Sequence, residues 1–215
     1  HTHFEEYIQH YLPLLPRPVL KALARRIARH QCNSLDAVIV PSPAMQATLS
    51  EYGVEAPMHV LPTGIPIAQF AQGDGARFRH RHGIAADRPM ALYVGRVAFE
   101  KNIGFLLQAM TYAILQRPEL LLVVAGEGPA LPALQREVER LGLAGHVRFV
   151  GYLDRRIELP DCYAAAEIFV FASKTETQGL VLLEAMAAGL PVYAVPHLGT
   201  RSIVEPRRGA IPAPE

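Results

Sequence analysis

The chain has 215 residues, half of them hydrophobic, with 21 basic against 20 acidic side chains. That is ample material for a core, and the charge balance argues against a general nucleic-acid binder. Cys32 and Cys162 are too few for a disulfide framework or a zinc site, and no apolar run reaches the roughly 20 residues that span a bilayer, so a cytoplasmic protein is the expectation. In chain order, Phe4 to Leu15 has a short helical pattern that Pro13 and Pro16 should break. Arg17 to His30 then opens with Pro18 in a helical first turn, with Leu20, Leu23, Ala24 and Ile27 at helical spacing. Lys21, Arg25, Arg26 and Arg29 lie off that stripe with no acid among them. The segment is either the solvated face of a packed helix or a helix resting on anionic lipid.

Asp36 to Val40 reads as a buried strand, Ser42 as the cap of a helix running to Tyr52 and Gly53, and Pro57 to Leu61 as a second strand. Pro62-Thr63-Gly64-Ile65-Pro66 breaks this half-unit, and the polar stretch to Gly75 reads as a linker, with a boundary near residues 65 to 75. After a short helix over Ala76 to Gly83, strand and helix alternate: Met90 to Val94 and Ile103 to Gln116; Leu120 to Ala125 and Ala130 to Leu141; Val147 to Val150 and Pro160 to Ala166. With Ile168 to Phe171 and Val192 to Val195, about five strands of a covered parallel sheet are predicted. The tail, Glu205 to Glu215, ends without a recognisable element, and the chain does not start with Met. A fragment at both ends is expected.

The stretch Phe169 to Val195 concentrates the chemistry. A strand runs into the polar loop Ser173 to Gly179, and a helix from Leu180 to Ala188 ends at Gly189 before Pro191 opens the next strand. Glu176 lies in the loop, and Glu184 sits on the helix among Val181, Leu182, Leu183, Ala185 and Met186. Burying an unpaired carboxylate costs several kcal/mol at least, so Glu184 must reach solvent or hydrogen-bond something. Read locally, both glutamates could equally be ordinary surface residues. Ligands of such sheets bind beyond the carboxyl ends of the strands, where Gly95-Arg96, Gly126-Glu127-Gly128 and Glu176 all fall. Loop cations such as Arg96 and Lys101 are common and often idle, and Gly-Glu-Gly-Pro alone is most often a turn.

Glu176 and Glu184, seven residues between them and followed by Ala185-Met186-Ala187-Ala188-Gly189-Leu190-Pro191-Val192, resemble the signature of retaining, family 4 glycosyltransferases of GT-B architecture. The resemblance extends to Gly95-Arg96 with Lys101-Asn102, to Gly126-Glu127-Gly128-Pro129 and to Tyr163-Ala164-Ala165-Ala166-Glu167-Ile168-Phe169-Val170. Ser173 to Gly179 is most similar to bacterial enzymes that glycosylate diacylglycerol or related lipids. The implied fold is α/β: a Rossmann-like donor domain over residues 69–215, incomplete at its C-terminus, and the rear part of a Rossmann-like acceptor domain over residues 1–68.

The implied activity is transfer of a hexose from a nucleotide diphosphate sugar, UDP- or GDP-linked, to a membrane lipid. Arg96 and Lys101 would hold the diphosphate, implying no required metal. Gly95, Gly126, Gly128 and Gly179 would let backbone approach the ligand, and the unpaired amides of the helix after Gly179, from Leu180 on, would face phosphate. Glu184 would take the ribose hydroxyls, and Glu176 would lie beside the transferred sugar. His1, in the block His1-Thr2-His3-Phe4-Glu5-Glu6-Tyr7, matches a histidine important in the acceptor domain of lipid-modifying relatives. Retention is usually described as a front-face substitution in which the leaving phosphate deprotonates the acceptor, so no protein base is required. Localisation would be cytoplasmic, with peripheral contact on the inner face of the membrane. Rival readings are a soluble or polysaccharide acceptor, and a nucleotide-sugar-binding module without catalysis.

Overall fold

The computed structural model describes residues 17–204 and 210–212. The expectations on His1 and on Phe4 to Leu15 lie outside the described residues. Helix α1, Arg17–Asn33, leads into β1, Val38–Val40, α2, Pro43–Glu51, and β2, Met58–Val60, with β1 and β2 parallel. Ser42 caps α2, its hydroxyl accepting from the Met45 amide at 3.2 Å. The strand over Asp36 to Val40 is not buried as expected: Ile39 is exposed, because a two-stranded sheet covers only one face. Helix α1 also departs from the expected single packed stripe. Leu20 and Ala24 are buried, whereas Val19, Leu23 and Ile27 form an exposed apolar line.

The expected linker is not a loose one. It contains α3, Ile67–Phe70, and Phe70 is fully buried with its ring edge-on to Tyr163, centroids 5.7 Å apart. Helix α4, Gly75–Arg81, follows. The Asp74 amide donates to Asp161 at 2.7 Å, and the Arg77 guanidinium donates to the same carboxylate at 2.6 and 2.8 Å. One isolated aromatic and one distant carboxylate thus turn a polar stretch into a fastened connector.

The main unit alternates β3, Met90–Val94; α5, Ile103–Gln116; β4, Leu121–Ala125; α6, Leu131–Arg140; β5, Val147–Gly151; α7, Glu158–Ala164; β6, Ile168–Phe171; α8, Leu180–Ala187; and β7, Val192–Ala194. A further strand, β8, Ala210–Pro212, pairs in parallel with β7. The sheet therefore has six strands rather than five, and the tail does supply an element. Its proline is tolerated because β8 is an edge strand, where not every amide is needed.

The order is β5-β4-β3-β6-β7-β8, all parallel. All ten residues of β3 and β4 are buried, as a sheet covered on both faces requires, and each Leu or Val so enclosed contributes about 1.5–3 kcal/mol. The order in which strands are added reverses at β3 and β6, from which the sheet grows outward on either side, and this makes a crevice beyond their carboxyl ends. The two units meet beside it. The Ser42 hydroxyl donates to the Thr177 carbonyl at 2.9 Å, and the Gln178 amide to the Thr63 carbonyl at 3.3 Å. Among the described residues no helix is long and apolar enough to cross a membrane.

Candidate active site

Two clefts share Val94, Gly95, Arg96 and Val181 at this switch point and form one crevice with two compartments. The first, about 350 Å³, is also lined by Gly126, Glu127, Tyr152, Arg155 and Glu184. The second, about 280 Å³, is lined by Tyr93, Lys101, Phe171 and Glu176. The rim loops are set by backbone packing. A Cβ on Gly126 would stand 2.0 Å from the Gly95 carbonyl oxygen, and one on Gly128 would stand 2.3 Å from that of Val97. These glycines were expected to admit a ligand; what presses on Gly126 and Gly128 is the neighbouring loop. Gly128 and Leu180 line neither compartment as described.

Glu184 projects from α8 into the first compartment, yet its side chain is only 1 % exposed. Its Oε2 accepts from the Tyr163 hydroxyl at 3.0 Å, and its Oε1 is paired with the Arg155 guanidinium. Burial raises the Glu184 carboxyl above its ordinary value, with Arg155 and then the Tyr163 hydroxyl opposing. Tyr163 is pushed well above the ordinary tyrosine value by burial and by Glu184, so it stays a protonated donor. The odd carboxylate on an apolar helix face is thus answered by two long-range partners, 29 and 21 residues away.

In the second compartment Lys101 Nζ lies 3.0 Å from Glu176 Oε2, the side chains 8 % and 15 % exposed. Glu176 Oε1 also accepts from the Gly179 amide at 3.4 Å, so the first amide of the α8 entry is already engaged. Gly179 adopts φ 75°, a left-handed turn into the helix that suits glycine. Lys101 is held by the 3-10 turn Phe99–Lys101, which Asn102 closes at φ 55° while donating to the Ala172 carbonyl at 3.3 Å. Arg96 pairs with Glu100, whose other oxygen, Oε2, is buried with no hydrogen-bond partner. Behind them Tyr93, buried among Glu176 and Glu100, is raised far above its ordinary value, chiefly by burial.

Gly95, Arg96, Lys101, Gly126, Glu176 and Glu184 are therefore gathered at one crevice. Sequence reasoning missed Arg155, Tyr163 and Glu100. Glu100 directly precedes Lys101, and Arg155 follows the carboxyl end of β5, so position relative to a strand end was the signal available for both. Tyr163 opens the block Tyr163 to Val170 that resembles the family signature, but nothing in that block gave it a role at the site. Among the described residues no group of three or more His, Cys, Asp or Glu could hold a metal ion.

Residues 74–214 match the family described as glycosyl transferases group 1, and residues 1–69 match glycosyltransferase family 4. The alpha-monoglucosyldiacylglycerol synthase of Streptococcus pneumoniae is 35% identical over 201 residues, 90% of this chain and 44% of that protein. The GDP-mannose-dependent alpha-(1-6)-phosphatidylinositol monomannoside mannosyltransferase of Mycolicibacterium smegmatis is 33% identical over 187 residues, 82% of this chain and 47% of that one. The solved sucrose-phosphate synthase of Thermosynechococcus elongatus superposes with a TM-score of 0.80 at 27% identity, covering 99% of this chain and 52% of its own. The chain spans about half the length of the curated relatives it matches. With the group 1 match extending over more than half of its residues, and with the parallel Rossmann-like sheet of the GT-B fold, the chain belongs to the group 1 glycosyltransferases.

Proposed function

We propose that this chain carries the donor half, residues 69–215, and the rear of the acceptor half, residues 1–68, of a retaining enzyme that transfers a hexose from a UDP- or GDP-linked donor to a membrane lipid such as diacylglycerol. The observation that carries the reading is the gathering of Arg96, Lys101, Glu176 and Glu184 at the switch-point crevice. As the sugar leaves, negative charge grows on the diphosphate, and fixed cations are what stabilise it. Arg96 and Lys101 are the cations for that task. Each is paired with a carboxylate, Glu100 and Glu176 respectively, so ligand phosphate exchanges partners rather than meeting bare charge. Glu184 takes the ribose hydroxyls, a carboxylate being suited to accept from two vicinal donors. Glu176 lies toward the transferred sugar, and the leaving phosphate serves as the base. The lipid acceptor is supported by the glycolipid names of the relatives.

Arg96→Ala and Lys101→Ala are each expected to weaken binding of UDP or GDP by about 1.5–3 kcal/mol while leaving nucleoside binding nearly unchanged, measured by calorimetry. Equal losses for diphosphate and nucleoside would overturn the assignment.

Peripheral membrane contact through α1, on the cytoplasmic face, belongs to the same reading. Its support is the exposed line Val19, Leu23 and Ile27, beside a cleft lined by Arg25, Arg26, Arg29 and His30. Each basic residue near an anionic surface contributes about 1 kcal/mol, and the attraction decays over a Debye length of about 8 Å. Sedimentation with anionic vesicles should therefore fall steeply with salt. The variant with Lys21, Arg25, Arg26 and Arg29 all changed to Gln should lose most of it; undiminished binding by the folded variant would remove the membrane role.

A further inference from the structure

Glu184 lines a cleft and yet is almost wholly buried, and one of its two hydrogen-bond partners stands half in solvent. Arg155, paired with Oε1, is 53 % exposed, whereas the carboxylate's own side chain is 1 % exposed. The other partner, Tyr163, is fully buried between Phe70 and Phe169 and has no room to leave. Arg155 differs: it stands in the exposed loop between β5 and α7, its carbonyl accepts from the Gln69 side chain at 2.5 Å, and its guanidinium lies 5.6 Å from the centre of the Phe70 ring. The guanidinium can leave Glu184 while its backbone stays fastened and its cationic head keeps an aromatic face.

We propose that Arg155 is a positioning residue for nucleotide binding, a movable cover that pairs with Glu184 and yields Oε1 to the vicinal hydroxyls of an incoming ribose. This rests on the ribose reading of Glu184. An ionised carboxylate has about four acceptor sites, so the exchange replaces one charge-assisted bond by two hydroxyl bonds and leaves no oxygen unpaired. The groups facing Glu184 are Arg155 from the loop after β5 and Tyr163 from α7, with Arg96 and Glu127 on the rim loops after β3 and β4; α3 carries no charged side chain and sets Phe70 and Gln69 against Arg155. Among these, Arg155 is the cation in direct contact. Its removal frees Oε1 for the ligand and at the same time takes away the cation that most opposes the rise of the carboxyl, so the protonated form, which accepts hydroxyls poorly, persists to higher pH.

The test is calorimetric affinity for UDP and GDP and their 2′-deoxy counterparts, from about pH 6 to about pH 8.5, in the native chain, Arg155→Ala, Arg155→Lys and Glu184→Gln, with circular dichroism to verify folding. For Arg155→Ala, ribonucleotide affinity is expected to match or exceed the native value at the alkaline end and to fall about tenfold toward the acid end. The native chain and Arg155→Lys should stay nearly flat, and a preference for ribose over deoxyribose should persist wherever Glu184 is ionised. A profile for Arg155→Ala parallel to the native one, or an alkaline affinity well below it, overturns the cover. Should Glu184→Gln keep the full ribose preference, or the native chain bind neither nucleotide, the ribose reading itself falls and the cover with it.

Discussion

Asp161 and Glu184 are two buried carboxylates on neighbouring helices, 4 % and 1 % exposed, each met by an arginine half in solvent, Arg77 at 50 % and Arg155 at 53 %. Burial is the largest influence on both and pushes both carboxyls upward. At Asp161 it is overcome by the Arg77 fork and the Asp74 amide, and the group ends below its ordinary value. At Glu184 burial prevails over Arg155 and Tyr163, and the group ends above its ordinary value. Burial and an ion pair therefore do not separate a fastening from a binding group. The completeness of the donor set does: Asp161 is fully served and holds the connector, whereas Glu184 is served by one fixed and one movable donor beside a void.

The largest expected effect is on stability. Asp161→Ala should cost on the order of 3 kcal/mol in denaturant unfolding, having lost several charge-assisted bonds at a buried site, while Glu184→Gln should stay within about 1 kcal/mol of the native chain. Equal losses would erase the contrast.

Binding should reverse the ranking. Glu184→Gln is expected to reduce affinity for UDP or GDP about tenfold, about 1.4 kcal/mol, and to blunt the preference for ribose over deoxyribose, whereas folded Asp161→Asn should bind as the native chain does.

Smaller still, and opposite in sign, are the pH dependences. Asp161 ionises more readily in the folded chain, so its contribution is present above its unfolded value of 3.8 and lost as pH falls through the lower folded one. Glu184 ionises less readily, so its contribution is fully present below its unfolded value of 4.5 and lost as pH rises through the higher folded one. As pH rises toward 3.8 the native chain should gain on Asp161→Asn, and as pH rises above 4.5 it should lose ground to Glu184→Gln. Slopes of the same sign would contradict the assignment.

The smallest effect concerns the second compartment, where the cation is the more buried partner. Glu176→Gln should alter the ranking of donor sugars by about threefold, under 1 kcal/mol, with little change for the bare nucleoside diphosphate. A loss of UDP or GDP affinity as large as that of Glu184→Gln would show that the two compartments are not distinct.

The parts of the fold legible in the sequence were those written by local pattern. Met90–Val94, Ile103–Gln116 and Ile168–Phe171 fall where expected, because apolar runs of strand length and helical periodicity survive without tertiary help. The six-stranded sheet fell short by one strand because Ala210–Pro212 is three residues long and ends in proline, a combination only an edge position admits. Phe70 in the connector carried no periodicity, and its burial depends on Tyr163, 93 positions later. The rim residues were found because a parallel sheet directs them to one end and because their spacing resembles a known signature. Arg155 and Glu100 escaped because an ion pair between distant segments, or within a loop, leaves no periodic pattern, and nearness to a strand end does not single out one residue of a loop.

The fastening of the connector bears on how this molecule could be dissected. Gly73 and Gly75 lie so close to the Pro160 and Ala164 carbonyls that a Cβ would stand 2.1 and 2.4 Å from those oxygens, and Asp74 between them donates to Asp161. A recombinant piece beginning at Ala76, where helix and sheet start to alternate, would strip that amide from a buried carboxylate and uncover Tyr163. The severable joint lies earlier, in Pro62-Thr63-Gly64-Ile65-Pro66, so a donor half prepared for crystallography or calorimetry should begin before Ile67 and carry its strap with it.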